Sequence, residues 1–378
     1  MSSRDSGRDD ILAFAHIGDL HITDADAPNA RDFAAIVDQI NAADGLDFVY
    51  LPGDNADNGT PAQYALVRAG LDRLTLPVHV ITGDHDVEGG SLDAFYAGLD
   101  ARRLPYATDV SGLRCLFLDM SGPGSGGPDF RLGPDQLAWL EDQLGQAEGE
   151  ARDCALFMHT YPADLTGEGE AARVARLVSD SRVRLVEMGH THYNELANDG
   201  RTVFAATRST GQIEEGPVGY AVAAIDRGVV SWRFKELARP WPFVLVTAPA
   251  DRRLAHDAAD AEHVVGDTIE VRALVLGASA VTTCAVSVDG GPPHPMTRAE
   301  GDRRYRARIA WGPRARRLVV RAVDAAGGAD EDSVEPTRDA GGIPVSKGLG
   351  SDADALGAWP EKGLLGTQLG PNRNGRPW

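Results

Sequence analysis

Residues 11–21 read ILAFAHIGDLH. An apolar run without polar alternation fits a strand buried on both faces. The run breaks at Gly18-Asp19, and His21 follows. The same order returns in DFVYLPGDNAD (47–57) and VHVITGDHD (78–86). CALFMHTYP (154–162) and VRLVEMGHTH (183–192) repeat it with histidine at the break. Stretches with helical apolar spacing lie between them: ARDFAAIVDQINA (30–42), PAQYALVRAGLDRL (61–74) and PDQLAWLEDQL (134–144). Short apolar strands alternating with amphipathic helices predict an α/β layered domain. RTVFAATRS (201–209), GYAVAAID (219–226) and GVVSWRFKEL (228–237) read as strands that complete a sheet of that domain.

At 378 residues the chain is too long for one ordinary core. RPWP at 239–242 reads as a linker, so residues 1–240 form the first expected domain. Beyond it, FVLVTAP, TIEVRALVL, TTCAVSVDGG, YRARIAW and RRLVVRAVDAAGG are short strands divided by turn residues. In TIEVRALVL, Ile269, Val271, Ala273 and Val275 fall on one face. Residues 241–338 are therefore expected to form a small all-β, immunoglobulin-like sandwich. Residues 339–378 form a Gly/Pro-rich tail without a core of its own, either flexible or docked on the other domains and pinned by Trp359 and Trp378. Arg373 and Arg376 in that tail are either solvated or folded back toward a phosphate.

The formal net charge of −19 argues against a broad grip on long nucleic acid or on an anionic membrane. The polar start MSSRDSGRDDILAF has no signal-like core, and no apolar run is long enough to span a bilayer. A soluble, cytoplasmic chain is expected. Cys115, Cys154 and Cys284 read as reduced core residues.

The unusual polar residues of the first domain all sit where strands end: Asp19 and His21, Asp54 and Asp57, Asp84 and His85, His159, His190 and His192. In an open α/β sheet the carboxyl ends of the strands are where ligands bind. The donors are carboxylate oxygen and imidazole nitrogen with no thiolate, which suits Mn, Fe, Zn or Co in a catalytic site. Their number exceeds what one ion needs, and two ions sharing a carboxylate account for it. Each element alone is weak: a GDxxD turn also caps helices, and a histidine after a strand is commonly a core residue. The ordered recurrence at five strand ends carries the reading.

This ordered set resembles the calcineurin-like metallophosphoesterase superfamily. Its pattern, D-x-H, G-D-x-x-D, G-N-H-[DE], H, G-H-x-H, is met by Asp19-Leu20-His21, Gly53-Asp54-Asn55-Ala56-Asp57, Gly83-Asp84-His85-Asp86, His159 and Gly189-His190-Thr191-His192. Within the superfamily the chain looks most like the bacterial cyclic-nucleotide and glycerophosphodiester phosphodiesterases. The resemblance implies a four-layer α/β/β/α sandwich over residues 10–237. It also implies two divalent or mixed-valence ions, Mn, Fe or Zn. Asp19, His21 and His192 would hold one, Asp84, His159 and His190 the other, and Asp54 would bridge them. His85 corresponds to the histidine near the leaving group, with the Asp57 carboxylate able to orient it. The implied reaction is attack of a metal-activated hydroxide on a small phosphodiester.

One position departs from the pattern: Asp84 stands where the superfamily has asparagine. The ions with Asp19, Asp54 and Asp84 would carry about +1, and about zero with a bridging hydroxide. The second ion should then be held more tightly, favour a harder metal and polarise phosphate less. A structural or inactive site is the other reading of this change. Asn55, Asn58, Tyr161 and Tyr193, with Asn194, are candidates for substrate contact, each with a plain loop role as the alternative. Asp86 is read as a turn cap or an orienting neighbour, and His16 as core or a support behind the site. The competing functions are a phosphomonoesterase of the same fold, a nuclease, or a weakly active binding protein. The β-sandwich offers a surface for a partner or for homo-oligomerisation.

Overall fold

The opening run is strand β1 (Ile11–His16), with every residue buried. Successive side chains on a strand point to opposite faces. Leu12 and Phe14 enter one apolar cluster and Ile11, Ala13 and Ala15 another. The computed structural model describes residues 10–121, 129–256, 267–336, 348–350 and 352–366.

After β1 come α1 (Pro28–Asn41), β2 (Phe48–Leu51), α2 (Pro61–Leu71), β3 (Val78–Val80), α3 (Asp93–Leu99), β4 (Tyr106–Val110) and β5 (Leu113–Phe117). Next are α4 (Gly133–Gly149), β6 (Cys154–Phe157), α5 (Glu170–Ser179), β7 (Val183–Met188), β8 (Glu195–Asn198), β9 (Val203–Ala206), β10 (Gly219–Asp226) and β11 (Val229–Glu236). Two sheets result, in the orders β11-β10-β1-β2-β3 and β4-β5-β6-β7-β9-β8. The motif-bearing strands run parallel within each sheet, β1 to β3 in the first and β6 with β7 in the second. Their carboxyl ends therefore come out on the same side of each sheet.

The inner faces of the two sheets share one core, with Phe14 stacked on Phe48 and Phe117 stacked on Phe157. On the first sheet's outer face, β1 packs on Phe33, Ile36, Val37 and Ile40 of α1. On the second sheet's outer face, Leu116, Leu156 and Val186 meet Leu137, Leu140 and Leu144 of α4 and Val174 and Val178 of α5. The layers are thus helix, sheet, sheet, helix. Thr60 and Gln63 close a capping box at the start of α2, satisfying backbone amides the helix cannot.

The three strands read from residue 201 onward do not complete one sheet as expected, and β8 ahead of them carried no such reading. β8 and β9 extend the second sheet, while β10 and β11 extend the first. All four strands are almost wholly buried, and a strand's own residues do not say which sheet edge it covers.

The remaining strands are β12 (Phe243–Ala248), β13 (Thr268–Leu276), β14 (Val281–Val288), β15 (His294–Pro295), β16 (Arg304–Ala310), β17 (Leu318–Asp324) and β18 (Ala329–Val334). They form sheets β12-β13-β16 and β15-β14-β17-β18. Val244, Val246, Val271, Ala273 and Trp311 share a core with Val286, Leu318, Val320 and Ala322. Phe243, Leu245, Leu274 and Leu276 point the other way, into the cluster around α1. β12 and the second half of β13 are thus buried on both faces. Ions reinforce this seam: buried Asp226, at the end of β10, accepts from Arg272 Nε (2.8 Å), Thr247 Oγ1 (2.8 Å) and Arg304 Nη1 (2.5 Å). Among the described residues all three cysteines are free and buried, and no helix is long and apolar enough to cross a membrane. Trp359 is buried, while Trp378, Arg373 and Arg376 lie outside the described residues.

Removing one partner of a buried ion network leaves the others charged and unpaired, at a cost of about 3–5 kcal/mol. Asp226→Ala should lower stability by that amount in urea unfolding followed by tryptophan fluorescence. The first two sheets and the β12–β18 region should still unfold in one transition. A loss under about 1 kcal/mol would mean the network does not hold the seam.

Candidate metal centre

Five strands of the two parallel arrays deliver the sequence-predicted residues to one place. Asp19 follows β1, Asp54 follows β2, Asp84 follows β3, His159 follows β6 and His190 follows β7. Asp19, His21, Asp54 and His192 each offer a ligand-type atom within 4.8 Å of the others, and so do Asp54, Asp84, His159 and His190. Asp54 stands in both groups. Its Oδ2 lies 3.7 Å from His21 Nε2 and 3.5 Å from His159 Nε2. Asp84 Oδ1 lies 3.1 Å from His159 Nε2 and 3.3 Å from His190 Nδ1. His21 Nε2 and His192 Nε2 are 3.0 Å apart.

The backbone is forced to make this convergence. His21, Asp54, His190 and His192 all have positive φ, between 42° and 64°. This conformation is uncommon outside glycine and concentrates at functional sites. Two glycines allow the close approach. A Cβ on Gly83 would stand 2.2 Å from Asp54 Oδ1, and one on Gly189 would stand 2.1 Å from Asp19 Oδ1.

The electrostatics are those of anions crowded out of water. Burial, with the Asp54 charge adding to it, pushes Asp19 up to about 7. Burial pushes His21 and His192 down to about 4. Burial alone would raise Asp54 and Asp84, but neighbouring imidazoles outweigh it: Asp54 is lowered to about 2, and Asp84 falls well below the carboxylate range through His159 and His190.

The donor set fits divalent cations. Among the described residues, Asp19 Oδ1 is buried without a hydrogen-bond partner. Burying like charges together is costly unless a counter-charge is present. His159 Nδ1 donates to the Pro52 carbonyl at 2.7 Å, which directs Nε2 at Asp54 and Asp84. His192 Nδ1 lies 3.5 Å from Glu214 Oε1.

His85 stands beside this cluster, its ring centroid 4.6 Å from that of His21. The expectation that the Asp57 carboxylate orients it is corrected. His85 Nδ1 is 2.8 Å from the main-chain oxygen of Asp57, while the Asp57 carboxylate accepts from Gln212 Nε2 (3.3 Å) and lies 3.7 Å from His21 Nδ1. The tight turn after β2 aims the carbonyl, not the side chain, at the imidazole. Glu88 Oε1, 3.2 Å from His85 Nδ1, is a neighbour the sequence did not flag.

Two candidate substrate contacts are also corrected. Asn55 is fully buried and spends its amide hydrogens on the Ile81 carbonyl and Asp86 Oδ2, both at 3.0 Å. Tyr161 is buried, its hydroxyl 3.0 Å from Glu195 Oε2. In each case the loop turns the side chain into the core beneath the site. Asn58 is exposed and donates to Glu88 Oε2 (3.0 Å). Tyr193 is half-buried and donates to Glu214 Oε2 (2.6 Å). Asp86 is an orienting residue: buried, it accepts from Gly83 N–H (3.0 Å), the Asn55 amide and Tyr64 hydroxyl (2.9 Å), tying the β2 and β3 loops together. His16 is fully buried, 2.6 Å from Glu187 Oε2. Phe130, 4.9 Å from the His190 ring, packs against the second group without any motif to announce it.

Residues 12–194 match the sequence profile described as calcineurin-like phosphoesterase. The chain is 32% identical over 170 residues to the glycerophosphodiester phosphodiesterase GpdQ of Enterobacter lignolyticus, covering 41% of this chain and 58% of that protein. The chain thus spans little more than half of the length of this relative. It is 25% identical over 248 residues to a probable cyclic nucleotide phosphodiesterase of Fibrobacter succinogenes, covering 60% of this chain and 90% of that one. A solved dimetal phosphatase from Danio rerio is similar over 60% of this chain and 96% of its own, at 16% identity and a TM-score of 0.48. With the profile spanning five strand ends whose carboxylates and imidazoles converge in two groups around Asp54, residues 12–194 belong to the calcineurin-like phosphoesterase family.

Proposed function

We propose that this chain is a metal-dependent phosphoric ester hydrolase acting on small phosphodiesters of nucleotide, cyclic-nucleotide or glycerophosphodiester type. The observation that carries the reading is the Asp54 carboxylate standing in both groups of four ligand-type side chains. In this reading Asp19, His21 and His192 would hold one ion, Asp84, His159 and His190 would hold the other, and Asp54 would serve both. Two divalent ions, of Mn, Fe or Zn type, supply Lewis acidity at the phosphoryl oxygens and a water acidic enough to attack near neutral pH.

His85 supplies the proton. Burial alone would lower its pKa, but Asp54, the Asp57 carbonyl, Asp84 and Glu88 raise it above the ordinary imidazole value. A histidine so held stays protonated nearer to neutrality, as a general acid should. With Nδ1 against the Asp57 carbonyl, Nε2 carries the proton for the leaving alkoxide. Water adds to phosphorus, the P–O bond to the alcohol breaks, and a monoester and an alcohol leave. An alkoxide needs this proton more than an acidic phenol does. The relatives named as phosphodiesterases support a diester over a monoester substrate.

Bis(p-nitrophenyl) phosphate and an alkyl diester, offered to metal-stripped protein with Mn, Fe, Zn or no addition, test the reading. Turnover should require metal. His85→Ala should lower kcat on the alkyl diester by about 10²–10⁴-fold while both ions stay bound. Diester turnover unaffected by chelation would sink the metal reading, and unchanged kcat in the variant would remove His85 from the reaction.

Ion uptake should also be linked to protons. Burial alone would lower His159 and His190, but Asp54 and Asp84 raise both. This shifts both imidazoles toward the protonated form in the metal-free protein, and a ligating imidazole must give its proton up. Binding should release protons at pH 7, and affinity should fall as the pH is lowered. Calorimetric titration of Mn²⁺ in buffers of different ionisation enthalpy reads this directly; identical heats in all buffers would contradict it.

A further inference from the structure

Part of the support for the first group of ligand-type residues comes from the far end of the chain. Residues 352–366 return to the phosphoesterase sheets after the β12–β18 region. Ala355 bridges to Ala197 on β8, and the Leu356 amide donates to the Leu196 carbonyl at 2.9 Å, so this segment covers the edge of the second sheet. Trp359 and Leu364 are buried in the core between the two sheets, with the Arg253 guanidinium 3.7 Å over the Trp359 ring. Lys362 pairs with Asp332 of β18 at 2.6 Å, both side chains being buried. The segment is therefore tied down at Leu356, Trp359, Lys362 and Leu364.

Gly363 is its point of contact with the site. Its carbonyl accepts from Asn194 Nδ2 and from Arg208 Nη2, each at 2.9 Å. Asn194 follows His192 by two residues, and its side-chain oxygen accepts from the Arg208 amide at 2.8 Å. Arg208 is 2% exposed and lies over the Phe234 ring at 4.1 Å. The next residues hold the ligand-bearing turns directly. Ser209 Oγ and the Thr210 and Gly211 amides all donate to the Asp19 carbonyl, at 2.8, 2.9 and 3.1 Å, and the Ser209 amide points to the His192 carbonyl at 3.4 Å. Asp19 and His192 thus rest on residues 208–211, and Arg208 rests on Gly363. The family match ends at residue 194, so Arg208 and Gly363 lie outside it.

We infer that the C-terminal segment 352–366 is a working part of the metal centre: through the Gly363 carbonyl it positions Asn194 and Arg208, and through them the turns bearing Asp19 and His192, so that the ion held by Asp19, His21 and His192 depends on it. Asn194 and Arg208, both buried, are positioning residues in this scheme. The inference rests on the two-ion reading above. It also assigns the β12–β18 region a mechanical role, since that region carries the segment back to the site and anchors it through Lys362.

Gly363→Ala tests it in the full chain. Gly363 has a φ of 92°, and a Cβ there would stand 2.6 Å from Phe234 Cβ, so the carbonyl must shift. Arg208→Gln acts from the other side of the same contact. Metal-stripped proteins are loaded with Mn²⁺, and the two binding constants are measured by equilibrium dialysis with elemental analysis. Outer partners of metal ligands typically contribute about 10–100-fold in affinity. Both variants should weaken one ion by about tenfold or more, leave the other unchanged, and weaken the same position that His192→Ala abolishes. The melting temperature of the metal-free protein controls for a purely structural effect, which would lower it and weaken both ions together. Two ions held as tightly as in the wild type, or both weakened equally, would overturn the inference. A wild type that binds no Mn²⁺ would instead overturn the two-ion reading on which it stands.

Discussion

Asp54 has to serve two sets of neighbours at once, and much of the structure follows from that demand. Its carboxylate lies within reach of His21 on one side and His159 on the other, and its peptide turns into the left-handed region to bring it there. Neither sheet alone could supply both sides. Asp19, Asp54 and Asp84 come from the first sheet, and His159 and His190 come from the second. Holding the two sheets in fixed relation is therefore the same problem as building the site. The stacked rings of Phe14, Phe48, Phe117 and Phe157 between the sheets solve it by close packing.

The site stores cost that the fold offsets elsewhere. Four ligand-type residues adopt positive φ, and three carboxylates crowd where burial disfavours their charge. Such strain persists only where the surroundings over-determine it. The surroundings here are the loop ties of Asp86, the Pro52 carbonyl behind His159, and the three donors converging on the Asp19 carbonyl. Asp84 adds to the cost. It places a full charge between His159 and His190 where the family pattern has a neutral amide, and both imidazoles respond by holding their protons more firmly.

The β12–β18 region is built into this arrangement rather than hung from it. One face of its first sheet joins the core around α1, and the Asp226–Arg272–Arg304 ions close the same seam. A flexible appendage would show a small and polar junction. Here the seam is apolar and ionic together, and the chain leaves it only to return to the second sheet through Trp359 and Leu364.

The local sequence determined the strand ends and what stands on them. Each combines an apolar run, a turn and a donor residue within about ten positions, and backbone periodicity acts over that range. It also determined the alternation of strands with α1, α2 and α4, and the shared face of Ile269, Val271 and Ala273 in β13. Helix α5, with Val174 and Val178 spaced by one turn, carried the same signal without being singled out. Tertiary structure alone decided the rest. Whether β8 to β11 extend one sheet or both depends on edges that form elsewhere in the chain. That Asn55 and Tyr161 point into the core, and that a carbonyl rather than a carboxylate of Asp57 holds His85, depends on turn geometry that residue type does not encode. Nothing near Asn194 announces Gly363, because a hydrogen bond between residues so distant in sequence exists only once the intervening sheets have fixed where the chain returns.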